Sequence, residues 1–493
     1  MRLFIYRNLK FPLTLLLLLF LLLPYQLLSQ NNIAKYIKEL QKEPNFTSSA
    51  ISILVMDSKG RSVASWNPDM RLNTASTMKT VTTGVALALL GPNFQFSTKI
   101  KYSGTVIDSI LQGDLYIVGG ADPTLGSKES IATPIEIIFK EWKEAIERAG
   151  IKRVEGHIVA DNRFFSTPST PRSWSWSQLG TSYGAGADAL SFVENRQQIR
   201  LIPGTNEGDS VKIEQFYPYI PGMEYQNQLN SGRANSSLNY FYYLSPLTKT
   251  AQIRGRVPLH PSHRTITVAN KFPHLSCAYH FMEFLNANGI LVESQILDAN
   301  HFNGPKEEEL TPIAETLSPP LHQIVEVTNR NSNNFFAETL FRAIGKIVKN
   351  DDSYGSSKAA VKRELTKMGL TFEGYKQEDG SGLSRLNLAS SRFFCNYFRA
   401  IEKSEIFEIF FHSLPVAGEQ GTLKKVLAQY PMSVRSRVHA KSGTLSNCRC
   451  YAGFVERKKG GLLYFAIITN NLPISVSKAQ PSIERFLYEL TKY

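Results

Sequence analysis

Ser76-Thr77-Met78-Lys79 stands at the head of an apolar run, residues 81–90, directly after Arg71-Leu72-Asn73-Thr74-Ala75. A serine and a lysine three apart on a helix share one face, one turn from each other. A neutral hydroxyl is a weak nucleophile and needs a base beside it. A lysine serves as that base only if desolvation or a nearby cation lowers its pKa. A rigid helix fixes such a pair without help from a loop. By itself the pattern is weak, because Ser475-Val476-Ser477-Lys478 has the same spacing. Ser76 alone reads more simply as a helix N-cap, with Lys79 a solvated first-turn residue. More distant stretches decide between the two.

The 493 residues suffice for two or three domains, and 42% hydrophobic with 20% charged residues is an ordinary globular composition. Of the net charge of +13, Arg2, Arg7 and Lys10 lie in the first ten residues; Lys424-Lys425 and Arg457-Lys458-Lys459 are the densest later clusters. No basic stripe interleaves with aromatics, which excludes nucleic acid as the expected partner. A diffusely basic surface suits an anionic polymer outside the cell. Residues 1–30 read as a secretory signal: basic residues, an apolar core at 13–23, Pro24, and a cleavage region at 26–30. The core is short for a membrane span, a retained anchor being the alternative. The expected location is therefore periplasmic or otherwise exported. Cys277 and Cys395 are isolated, and Cys448-Arg449-Cys450 lies in a strand-like run. These four read as buried small hydrophobes, not as a disulfide framework or a metal site. No metal or cofactor is expected.

In chain order, Ile33, Ile37 and Leu40 mark an amphipathic helix. Residues 50–56 and 62–66 predict a hairpin around Ser58-Lys59-Gly60. Short strands dominate from about residue 96 to 261, with one helix at 134–149. Gly184-Ala185-Gly186 opens no βαβ unit and is not a dinucleotide loop. His260 and His263 lie in a Pro-flanked loop and read as solvated. A helix at 279–288 closes at Gly289. Another begins at 321 and is predicted to run on through Asn329-Arg330-Asn331-Ser332-Asn333-Asn334 to about 347. Glycine loops follow at 379–385 and 418–422; His439-Ala440-Lys441-Ser442-Gly443-Thr444 then leads a strand pair at 448–455 and 462–469, and a helix at 481–493 ends the chain. The expected class is α/β with an antiparallel sheet flanked by helices.

Three elements now stand in order: Ser76-x-x-Lys79, Ser332-x-Asn334 and Lys441-Ser442-Gly443, the last pattern occurring once. Together they resemble the signature of penicillin-recognising serine enzymes. The long gap between the first two, the segment Leu115-Tyr116-Ile117-Val118-Gly119-Gly120-Ala121-Asp122-Pro123-Thr124-Leu125, the 379–385 loop and Leu414-Pro415-Val416-Ala417-Gly418 narrow the resemblance. The chain resembles the D-Ala-D-Ala carboxypeptidases of peptidase family S13, the class C low-molecular-mass penicillin-binding proteins. That implies a β-lactamase/transpeptidase-like domain from residues 31–100 and 305–493, with a large strand-rich insertion at 101–304.

The resemblance also implies roles. Ser76 would attack the carbonyl between two D-alanines, Lys79 would take its proton, and Ser332 would relay a proton to the leaving amine. Asn334 would hold the substrate amide and orient Lys79. Lys441 would lower the Lys79 pKa and, with Ser442, Gly443 and Thr444, receive the substrate carboxylate. The backbone N–H groups of Ser76 and Thr444 would form the oxyanion hole. Trp174, Trp176 and Tyr183 from the insertion, with Leu383 and Arg385, would contact the diamino acid side chain of the stem peptide; plain packing is the other reading of those aromatics. Ser442 replaces a commoner threonine, and Gln178 stands where an acidic residue is common. The implied partners are peptidoglycan stem peptides and β-lactams, with cell-wall or peripheral membrane association and a homodimer compatible. The rival readings are a β-lactamase and a non-catalytic peptidoglycan-binding protein on the same fold.

Overall fold

The computed structural model describes residues 25–260 and 262–493; residues 1–24, most of the expected leader, lie outside the described residues. Helix α1 (Tyr25–Leu40) leads to strands β1 (Ala50–Asp57) and β2 (Ser62–Trp66). They join β3 (Val438–Leu445), β4 (Cys448–Glu456) and β5 (Leu462–Asn470) in one antiparallel sheet of order β2-β1-β5-β4-β3. β1 is buried almost throughout because helices cover both faces, so it reads as a continuous apolar run, not an alternation. Ile51, Ile53 and Val55 pack with Ile33 and Ile37 of α1 and with Ile483, Phe486 and Leu487 of the last helix, Val476–Leu490. On the other face, Leu54, Phe454 and Ile468 meet Val81 and Val85 of α2 (Lys79–Leu90) and the aromatic ladder Phe393, Phe394, Tyr397 and Phe398. The expected α/β class with a strand-rich insertion is the one observed.

The inserted sheet has five strands, in the order Ile296–Asp298, Ile158–Asp161, Leu115–Gly119, Ser97–Tyr102, Thr311–Leu317. The sheet thus draws on strands from Ser97 to Leu317. Helices Ile135–Arg148 and Pro273–Ala287 cover it through Phe139, Trp142 and Phe281. Two three-stranded sheets follow, one of them built on Glu224–Gly232, Thr250–Pro258 and Asn239–Leu244. No helix among the described residues is long and apolar enough to cross a membrane.

The single helix expected from 321 to about 347 is two: α3 (Leu321–Arg330) and α4 (Asn334–Lys349). Ser332 at the break has φ +57, and the Asn333 side chain caps α4 by accepting from Phe336 N at 3.1 Å. Short polar side chains compete with the helical ladder and favour caps, which is why this run breaks where apolar periodicity alone suggests continuity.

α4 is also where the insertion is bolted on. Arg342, 1% exposed, pairs with Asp352 and donates to the carbonyls of Ala187 (2.7 Å) and Thr167 (2.8 Å). Asp352 further accepts from the backbone N–H groups of Ser166 (3.0 Å) and Thr167 (3.1 Å). Burial alone would raise the Asp352 carboxyl, but the hydrogen bonds from Thr167 and Ser166 and the Arg342 charge hold it well below the usual carboxylate range. A depressed folded pKa contributes stability that is present above the ordinary carboxylate value and lost as pH falls through the folded one. Arg342→Met is expected to cost about 3–5 kcal/mol in urea unfolding at neutral pH, since it strands a buried carboxylate. The deficit should shrink toward low pH as Asp352 takes up its proton. A loss below about 1 kcal/mol would place the insertion's attachment elsewhere.

Candidate active site

Ser76 sits in a tight turn, Ala75–Met78, that runs straight into α2. Ala75 has φ +44, a left-handed conformation that a residue with a Cβ adopts only under constraint. The constraints are visible. Ala75 N donates to Asn73 Oδ1 (3.2 Å), and Asn73 exchanges hydrogen bonds with Asn470 at 2.8 and 3.0 Å. Two glycines press on the turn from outside. A Cβ on Gly443 would lie 2.8 Å from the Thr74 carbonyl oxygen and 3.0 Å from Ser76 N; one on Gly382 would lie 1.9 Å from the Ala75 carbonyl oxygen. The Lys441-Ser442-Gly443 edge of β3 and the 379–385 loop thus meet the serine turn backbone to backbone, a closeness that only glycine allows.

Lys79 is fully buried. Its Nζ lies 3.0 Å from Ser76 Oγ, 2.6 Å from Asn334 Oδ1 and 2.6 Å from the Ser381 carbonyl oxygen. Three acceptors thus face the three donors of an ammonium. Burial lowers its pKa to about 7, while Asp379 and Glu338 oppose that shift. Desolvation is the largest cause of that lowering. Lys441 is itself fully buried, donates to the Ser442 carbonyl at 3.0 Å, and is lowered by burial and then by Lys79 and Arg449. Asn334 is fixed from both sides of its amide, its Oδ1 on Lys79 and its Nδ2 on the Tyr183 carbonyl at 3.0 Å. Ser332 is half-buried at the α3–α4 turn, two residues before it. Ser442 Oγ donates to Thr422 Oγ1 at 3.1 Å. Thr444 is exposed beside Gly443, its hydroxyl accepting from Arg449. Residues of all three motifs therefore meet around Ser76 and Lys79.

Among known protein families, one matches residues 30–490, nearly the whole chain. The chain belongs to the D-Ala-D-Ala carboxypeptidase 3 (S13) family. Its enzyme class is accordingly serine-type D-Ala-D-Ala carboxypeptidase. It is 26% identical over 442 residues to a Haemophilus influenzae protein named D-alanyl-D-alanine carboxypeptidase DacB, covering 87% of this chain and 88% of that one. It is 25% identical over 460 residues to the D-alanyl-D-alanine carboxypeptidase of Actinomadura sp. strain R39, covering 90% of this chain and 82% of that one. The crystal structure of penicillin binding protein 4 from Haemophilus influenzae shares the fold, with TM-score 0.79 at 22% identity over 94% of this chain and 100% of that one. A second crystal structure of that protein, complexed with a novel β-lactam, gives TM-score 0.75 at 21% identity over 93% of this chain and 98% of that one.

The rest of this S13 site was not legible in its motifs. Asp379, fully buried, gathers four donors: Gly382 N (2.8 Å), Asn387 Nδ2 (2.7 Å), Ser384 N (2.6 Å) and Trp174 Nε1 (2.8 Å). Trp174 is thus a buried strut of the 379–385 loop and not the substrate contact expected. Glu338 accepts from Ser381 N (2.8 Å) and Tyr354 OH (3.2 Å), and burial, then Asp379, raises it to about 8. Lys271, 5% exposed, donates to the carbonyls of Gly184 (2.6 Å) and Ala185 (2.8 Å), anchoring the loop whose Tyr183 holds Asn334. Trp176 and Tyr183 are 57% and 48% exposed, while Leu383 is buried and Arg385 reaches the Ser446 carbonyl at 3.4 Å. Gln178 turns back to cap Ser175 N at 3.0 Å. Cys448 and Cys450 are free, buried thiols 3.6 Å apart, both against the Asn73 carbonyl.

Gly382→Ala tests the clamp. Its φ of +83 and the 1.9 Å contact require the serine turn to shift. Hydrolysis of a D-Ala-D-Ala peptide is expected to fall about a hundredfold, the scale of a 1 Å misplacement. Gly460→Ala is the control, with φ +84 but nothing within 4 Å, and should leave hydrolysis unchanged. Equal activity of both variants would remove the clamp.

Proposed function

We propose that this chain is an exported DD-peptidase that cleaves peptidoglycan stem peptides through an acyl-enzyme on Ser76. It removes the terminal D-alanine and also cuts D-alanyl–diamino acid crosslinks. The observation that carries the reading is the buried Lys79 amine, 3.0 Å from Ser76 Oγ and tuned near neutrality by burial. The leader-like composition of residues 1–30 and the basic net charge support export to an anionic wall in the periplasm or outside. In this reading the catalytic unit is residues 31–100 and 305–493, less the two strands that join the inserted sheet.

In the first half-reaction Ser76 Oγ bonds to the carbonyl carbon between the two D-alanines, and its proton passes to Lys79 Nζ. The oxyanion rests on the N–H groups of Ser76 and Thr444. The C–N bond then breaks, and the leaving amine receives a proton through Ser332. Water attacks the ester in the second half, restoring Ser76 and releasing the shortened peptide. Asn334 Nδ2 exchanges its Tyr183 contact for the substrate amide. The terminal carboxylate docks on Ser442 and Thr444, beside Gly443 where the strand edge meets the serine turn. Its charge restores the protonated form of Lys441, which burial alone disfavours. Arg449, already on Thr444, adds a second cation. Trp176, Tyr183, Leu383 and Arg385 flank the side chain of the third stem residue. A β-lactam acylates the same serine, in keeping with the β-lactam complex of the Haemophilus protein.

Benzylpenicillin is expected to add its mass to the wild-type protein and not to a folded Ser76→Ala variant in intact-mass spectrometry; an adduct surviving in that variant would sink the assignment. The acylation rate is also expected to follow the Lys79 titration. Below about 7 the ammonium cannot accept the serine proton, so the rate should climb about tenfold per pH unit and level off above. Lys79→Ala should lower the plateau by about 100- to 10,000-fold. A pH-independent rate across that range would exclude lysine as the base.

A further inference from the structure

The insertion carries a row of aromatic rings, two of which, Phe241 and Tyr243, neither a core nor the chemistry above uses. Strand Asn239–Leu244 alternates in the usual way. Tyr240 and Tyr242 face inward, Tyr242 being 6% exposed and Tyr240 donating to the Thr267 carbonyl. Phe241 and Tyr243 stand on the outer face, Phe241 being 50% exposed. Their ring centroids are 6.2 Å apart with planes 7° from parallel. Trp176 continues the series, 6.3 Å from Tyr243 at 16°. A groove of about 380 Å³ is lined by Phe241 and Tyr243, by the hydroxyl-bearing Ser177, Thr181 and Ser182, and by Tyr183. Tyr183 is the residue whose carbonyl holds Asn334.

Contiguous exposed aromatics mark a binding surface. The polar neighbours say what kind. An apolar helix docked here would bury those hydroxyls without partners. A sugar ring has a flat C–H face for an aromatic plane and hydroxyl or amide groups around its edge for Ser and Thr. Nearly parallel rings in series suit a polymer of such units. Position agrees: a stem peptide in the cleft is covalently attached to a sugar strand, and four extended residues reach at most about 14 Å. The strand must therefore pass close to Tyr183. We propose that Trp176, Tyr243 and Phe241 form a platform for the glycan strand of peptidoglycan, a polymer of N-acetylated sugars, so that the enzyme engages the polymer and not the peptide alone. This rests on the peptidoglycan reading above.

The test compares the full-length protein with Phe241→Ala and Tyr243→Ala. Each is assayed for co-sedimentation with cell-wall glycan stripped of its peptides, for titration with soluble N-acetylglucosamine oligomers, and for benzylpenicillin acylation. Glycan affinity is expected to fall about tenfold or more in each variant, with acylation unchanged and wild-type binding insensitive to added salt. Equal glycan binding by wild type and variants, or none by wild type, overturns the platform. So does binding that salt abolishes, which would assign it to the basic surface. A wild-type dimer that the variants dissociate, without glycan binding, would make the row a contact between two copies of this chain. Failure of wild-type acylation would instead strike the DD-peptidase reading, so the two failures are distinguishable.

Discussion

A buried amine with three oxygens around it sets the terms for the rest of the molecule. Desolvating an ammonium is costly unless each of its protons meets an acceptor. Lys79 finds its acceptors on three separated segments: the preceding turn, the first residue of α4, and the backbone of the 379–385 loop. No single secondary structure supplies three such oxygens. The fold must bring them together, and the features that look irregular are the means. The α3–α4 break turns Asn334 toward Lys79. Gly382 lets the loop ride on the serine turn. Gly443 lets the sheet edge close the other side.

The electrostatics follow from the same enclosure. Burial lowers the lysine, and two acids nearby oppose it. Burial is the largest of these effects, and the lysine is left near neutrality. Asp379 gathers four donors, whereas Glu338, held by Ser381 N and Tyr354 OH, is raised by burial to about 8. The insertion takes part in this. Trp174 is one of the Asp379 donors, Tyr183 orients Asn334, Lys271 steadies Tyr183, and Arg342 ties the whole to α4. A change in the insertion therefore reaches the reactive hydroxyl through hydrogen bonds of ordinary length.

What could be read from the sequence divides along the same physical line. Ser76, Lys79, Asn334 and Lys441 were legible because one chemistry restricts residue type and local spacing together. The sheet strands were legible from apolar runs, and the burial of the cysteines from their isolation. The helix break was not, because a single serine at φ +57 leaves the apolar period almost intact. Trp174 stayed open between two readings because a tryptophan's amphipathic ring serves a cleft or a carboxylate equally well. Lys271 and Glu338 gave no signal, since a buried charge is defined by partners 86 and 43 residues away. The pairing of Ser97–Tyr102 with Thr311–Leu317 on one side and Leu115–Gly119 on the other is a long-range choice that local pattern does not carry.

The enclosure also sets one hydroxyl apart from its neighbours. The turn and first helical residues carry five hydroxyls. Thr77 donates to the Thr74 carbonyl (2.7 Å), Thr80 to Thr77 (2.8 Å), Thr82 to Gly380 (2.7 Å) and Thr83 to Lys79 (2.8 Å). Each of these protons is already committed to a backbone oxygen, as helical threonines tend to arrange. Among the described residues the Ser76 hydroxyl has Lys79 as its partner and no carbonyl to donate to. Ser76 stands second in the turn, so the residues three and four before it, Asn73 and Leu72, precede the turn and offer it no helical carbonyl. Ala75, at φ +44, is the residue on which the chain enters that turn. Asn73, pinned by Asn470 and flanked by the two small thiols of Cys448 and Cys450, holds that turn in place. The free hydroxyl proton of Ser76 and the amine beside it are thus set by the turn and by the sheet that holds it.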